Sequence, residues 1–157
     1  MTDIAPEAEM IKNRLEELSA ELSLHSSRLR RAADSADVMV SDSQAITVQR
    51  TRDVRRGEFY LIRQITERER VNRVLEDLRR YISVLEENHV PNYAEKSKLL
   101  WLRYARGLGW NDVCQRIYGT QQDYLEKQDS YRRRAYRRHE QALSEIWAYF
   151  GAGRRER

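Results

Sequence analysis

Along the first part of the chain Ile11, Leu15, Leu18, Leu22, His25, Leu29 and Ala32 recur at alternating steps of four and three. That spacing keeps one stripe on a single helix face and predicts a helix from about Pro6 to Ala33. Pro6 suits a first helical position, and Glu7 and Glu9 suit the positive end of the helix dipole. From Asp34 to Asp53 the pattern breaks into DSADVMVSDSQAITVQRTRD, rich in Ser, Asp and Thr. This stretch reads as a linker, with short extended pieces expected at Val38 to Val40 and Ile46 to Val48. A second seam, Val71, Leu75, Leu78, Ile82, Leu85 and His89, predicts a helix from about Val54 or Glu58 to Asn88. Leu61, Ile62 and Ile65 fall out of phase with it, as a stutter would make them. Two helices with matching seams predict an antiparallel hairpin. The same seams serve equally for a coiled coil between two copies, so a homodimer through the long helices is a second expected arrangement.

Pro91 lacks a backbone donor and disfavours helix in the residue before it, so the second helix stops there. Asn92 and Glu95 have the spacing of a capping box and open a helix from about Tyr93 to Arg106, ended by Gly107. A short helix follows from Trp110 to Ile117, stopped by Gly119, and a last one from Ser130 to Phe150. The expected fold is all-α: a long helical hairpin or coiled coil over residues 1–90, with its linker near 34–53, then a helix-turn-helix bundle over 91–150 and a basic tail at 151–157.

The last helix divides into two faces when residues are placed about 100° apart. Tyr131, Ala135, Ala142, Leu143, Ile146 and Phe150 share one side. Ser130, Arg133, Arg134, Arg137 and Gln141 share the other, with Arg138 at the edge. An apolar face of this kind docks on neighbouring helices and leaves the arginines for a major groove, where they bind guanine edges or phosphates.

Charge sharpens that expectation. The 157 residues carry a net +4, and from Asp129 onward eight arginines stand against four acids, so the whole excess lies in the last helix and tail. Isolated, a charge run is by default a solvated helix face; next to a helix-turn-helix pattern it is the electrostatic footprint of nucleic-acid binding. With 34% charged and 40% hydrophobic residues, thin helix-on-helix layers suit the composition better than one thick core. No stretch approaches the roughly 18 apolar residues of a membrane span, and the N-terminus lacks a signal-peptide pattern, so no membrane and a cytoplasmic location are expected. Cys114 is the one cysteine, which excludes an intrachain disulfide and a cysteine zinc site. His25, His89 and His139 lack ligand spacing, so no metal is expected. No phosphate loop, nucleophile motif or paired carboxylates stand out, so neither catalytic residues nor a cofactor are expected, and the chain is not read as an enzyme.

Leu99-Leu100-x-Leu102-Arg103-Tyr104-x-x-Gly107-x-x-Trp110-x-x-Val113-Cys114-x-x-Ile117, then Ser130-Tyr131-Arg132 and His139-x-x-Ala142-Leu143, resembles the C-terminal part of phage transcriptional regulators of the RinA/ArpU kind, whose helix-turn-helix is like region 4 of bacterial sigma factors. The resemblance implies a protein in the bacterial host cell that binds promoter DNA and controls phage late genes, with the recognition helix on Ser130 to Leu143. One departure stands out. Thr120 to Asp129 occupies a place where the ordinary motif has a turn of about 3 to 4 residues.

The favoured expectation is a sequence-specific transcription regulator reading double-stranded DNA through Ser130, Arg132, Arg133, Arg134, Arg137, Arg138 and Gln141, with the long helices serving self-association or contact with host RNA polymerase. A small terminase subunit marking phage DNA for packaging, and a structural coiled-coil protein, are the alternatives.

Overall fold

A computed structural model describes the backbone of residues 6–42 and 50–155 and the side chains of residues 6–34 and 57–150. Every regular element among the described residues is helical: α1 (Pro6–Asp42), α2 (Arg50–Glu87), α3 (Tyr93–Leu100), α4 (Trp110–Tyr118) and α5 (Gln128–Arg155). The all-α class is the one expected. Helix α1 runs through Val38 to Val40, where extended structure is expected from the local pattern. Ser and Asp cost only tenths of a kcal/mol each inside a helix, and with no Pro or Gly the hydrogen-bond ladder continues past Asp34. The other expected extended piece, Ile46 to Val48, lies outside the described residues. At the far end α5 continues to Arg155, so most of the segment read as a tail is helix.

The chain forms two compact units, one built from residues up to Ser19 together with Glu76 onward, the other from Ala20 to Leu75. This division differs from the boundary expected near 90, because the start of α1 and the end of α2 supply core to the C-terminal helices. In the first unit Leu15, Leu18, Leu78, Leu85, Leu99, Leu100, Val113, Leu143 and Ile146 are fully buried. Tyr81 of α2 packs on Phe150 of α5 at 4.8 Å between ring centres, and the Arg79 guanidinium lies 5.5 Å over the Trp101 ring.

In the second unit Leu22, Ala32 and Val74 are buried, and the buried Glu67 carboxylate on α2 lies 2.8 Å from His25 Nδ1 on α1 and accepts from Arg70 at 3.2 Å. Phe59, Leu61, Ile62 and Ile65 are exposed. The phase shift of the last three is therefore not a stutter in the seam: they stand away from the face that carries Glu67 and Val74.

Between α2 and α3, His89 and Asn92 adopt left-handed conformations and turn the chain around Val90 and Pro91. Beyond Leu100 the helix widens into one π turn, Trp101–Ala105, in which Arg106 N–H donates to the Trp101 carbonyl at 3.1 Å. Gly107, at φ +67°, then reverses the chain. That geometry favours glycine, since a Cβ there costs about 1 kcal/mol or more. Arg103 Nη1 caps the reversal by donating to the Leu108 carbonyl at 2.9 Å.

Candidate nucleic-acid interface

Helix α5 is held from beneath and from both flanks. Ala135, His139, Ala142, Leu143 and Ile146 are buried, and Tyr131 and Phe150 are half-buried. On the α4 flank Trp110 meets Tyr136 and His139 edge to face, at 4.9 and 5.0 Å. The Arg103 guanidinium lies 5.1 Å over the Trp110 ring. His139 itself lies 2.7 Å from the Tyr104 hydroxyl. Burial pushes His139 down to about 4, helped by the positive charges of Lys12 and Arg103.

Of the ten residues from Thr120 to Asp129, Gln128 and Asp129 already belong to α5, and the eight before them are not a free loop. Backbone bonds from Gln121 to Tyr118, Tyr124 to Gln121, and Glu126 and Lys127 to Asp123 wind them into successive tight turns. Tyr131, in the first turns of α5, stacks on Tyr118 at 5.1 Å and packs on Tyr124 at 5.8 Å. Its hydroxyl donates to Asp123. Three tyrosines thus tie the connector to both of the helices it joins.

The α3 flank carries charge. The Glu95 carboxylate accepts from Arg134 Nε at 3.0 Å on one oxygen and from Arg138 Nε at 3.2 Å on the other, and from the Tyr118 hydroxyl. Arg134 also lies 5.4 Å over the Tyr118 ring. Burial opposes ionisation of Glu95, but the Tyr118 hydroxyl and the two arginines outweigh it and hold the carboxyl below its ordinary range. The same contact raises Arg134. The expected capping box is therefore absent: Asn92 is left-handed with no side-chain cap, and Glu95 is drawn to α4 and α5 instead. Two charge-assisted bonds and a phenol outcompete one backbone N–H. One residue along, Lys96 is buried and donates to Glu145 of α5 at 2.5 Å.

The seven residues expected to read DNA therefore divide. Ser130, Arg133 and Arg137 are exposed on the outer face of α5, and neither arginine is in an ion pair among the described residues. Arg132 is half-buried and donates to Asn111 at the start of α4. Arg134 and Arg138 are bound to Glu95, and Gln141 accepts from Arg138 at 3.2 Å. Helical phase finds the buried stripe and places Ser130, Arg133 and Arg137 outside, but it puts Arg134 and Gln141 with them, and both are half-buried because phase cannot register an acid on another helix.

No family model, curated protein or solved structure matches this chain. Chemistry at the site rests on its own residues. The outer face of α5 offers a hydroxyl and two guanidinium groups about one turn apart, a set able to bind phosphate oxygens or purine edges. No helix among the described residues is long and apolar enough to cross a membrane.

Proposed function

We propose that the chain is a sequence-specific double-stranded-DNA-binding regulator of transcription that presents the outer face of α5 to the major groove. The observation that carries this reading is the exposed set Ser130, Arg133 and Arg137 on a helix whose opposite face, Ala135 to Ile146, is buried. Ion pairs, aromatic contacts and apolar burial on three sides hold that helix, which suits a rigid reading element. The motif resemblance of residues 94–146 to phage late-gene regulators supports the setting, with promoter DNA as ligand and host RNA polymerase as the second partner. On this reading the connector from Gly119 to Lys127, tied down by Tyr118, Tyr124 and Tyr131, stands in for the shorter turn of the ordinary motif.

The test is selection of bound duplexes from a random-sequence pool by the full chain, followed by titration of the enriched duplex against a scrambled one. A specific regulator enriches a motif and binds it at least about 1,000-fold more tightly than scrambled DNA. A pool that stays random, or equal affinity for both duplexes, overturns the reading.

A further inference from the structure

Arg134 and Arg138 lie one turn apart on α5, beside the exposed Arg133 and Arg137, and each directs its Nε at a separate oxygen of one carboxylate, at 3.0 and 3.2 Å. A planar two-oxygen anion gripped by two guanidinium groups is how arginines also hold a phosphate. Here the anion is part of the fold. Glu95 is borne on α3, its side chain is 14% exposed, and the Tyr118 hydroxyl donates to the oxygen that Arg134 Nε also binds. It cannot diffuse away as a bound chloride would. The trio carries a net charge of +1 where two free arginines would present +2. Arg134 is 42% exposed and so within reach of a ligand, yet to bind a phosphate fully it must loosen its grip on a carboxylate that has little water to fall back on.

We infer that Glu95 is a resident counter-anion that withholds Arg134 and Arg138 from nucleic-acid phosphates, leaving sequence-independent affinity to Arg133 and Arg137 and keeping it low. This assignment deepens the DNA-binding reading above and rests on it. An arginine already paired inside the protein releases few additional counterions from a duplex, so it adds little to affinity or to its salt dependence. Because its neighbours keep Glu95 ionised below the ordinary carboxylate range, the withholding persists across the neutral pH range.

The experiment titrates a random-sequence duplex at several salt concentrations with the native chain, E95Q, R134Q/R138Q, the triple variant E95Q/R134Q/R138Q and R133Q/R137Q, each checked for helicity by circular dichroism. With E95Q, binding tightens and the slope of log K against log salt steepens by about one to two, near 0.9 per phosphate gained. R134Q/R138Q leaves the native slope unchanged, and in the E95Q background it removes the gain. A folded E95Q with an unaltered or shallower slope overturns the assignment. So does a native-background R134Q/R138Q whose slope falls by about two, an arm that reads even if E95Q fails to fold. Elution from immobilised heparin separates the two claims. If no variant binds duplex but E95Q elutes at higher salt than the native chain, the DNA reading fails and the counter-anion stands. If R133Q/R137Q lose duplex binding while E95Q changes neither readout, the reverse holds.

Discussion

The Tyr104 hydroxyl and His139 Nε2 meet at 2.7 Å inside the core, joining the π turn after α3 to the centre of α5. His139 is 4% exposed and is neutral in the fold down to about pH 4, whereas an unfolded histidine takes up its proton near 6.5. Between those values the unfolded chain binds more protons, so stability rises with pH. It is complete above about 6.5 and falls as pH drops toward 4, by roughly 3 kcal/mol over the window. Urea unfolding at a series of pH values should show this slope, and His139→Gln should flatten it while lowering overall stability. A native slope identical to that of the variant would rule out His139 as its source.

Lys96 and Glu145 form an ion pair in which the lysine side chain is 3% exposed. Removing one member strands the other. Glu145→Ala is expected to cost about 3 to 5 kcal/mol, while Lys96→Met with Glu145→Leu recovers most of that loss. Thermal unfolding of the native chain and these two variants checks both statements, and a double variant no better than the single would show that the pair contributes more than it costs to desolvate.

Arg133→Ala and Arg137→Ala are each expected to reduce the salt slope of DNA binding by about one, or to cost roughly 1 to 3 kcal/mol where a guanine contact is lost. Neither should change the melting temperature measurably, since both side chains are exposed and outside any described ion pair. Fluorescence anisotropy against the enriched duplex separates these outcomes. Full affinity in the double variant would remove α5 from the interface.

Tyr131→Ala takes away a ring that touches both Tyr118 and Tyr124. Loss of that packing is expected to destabilise the first unit and to open the connector to proteases. Tyr131→Phe keeps both ring contacts and loses only the hydroxyl bond to Asp123, so it should remain close to native. Limited proteolysis with mass-spectrometric mapping of cuts between Thr120 and Lys127 discriminates the two variants. Equal cleavage rates in both would assign the order of the connector to the hydroxyl.

Periodicity made the helices legible. Leu15, Leu18, Leu78 and Leu85 lie on the expected seams and are fully buried, and the apolar face of α5 is covered as helical phase requires. Periodicity is a property of one helix at a time, however, and the functional face depends on neighbours. Glu95 stands three residues after Asn92, as a capping acid would; only packing of α3 beside α5 turns it toward Arg134 and Arg138. Val38 to Val40 misled for a related reason. A short Val-Met-Val run set between small polar residues looks extended locally, while the helix it continues is set by residues before it. His139 escaped the expected apolar stripe because a histidine counts as polar until Tyr104 and Trp110 surround it.

Residues before Ser19 and those after Glu76 share one compact unit, and this imposes an order on biosynthesis. Met10 and Ile11 line the same hollow as Trp147 and Phe150, so the opening turns of α1 emerge from the ribosome long before the residues that cover them. At ordinary elongation rates the delay is on the order of ten seconds. During it the seam that carries Leu15 and Leu18 is without the cover that α5 gives it in the finished unit.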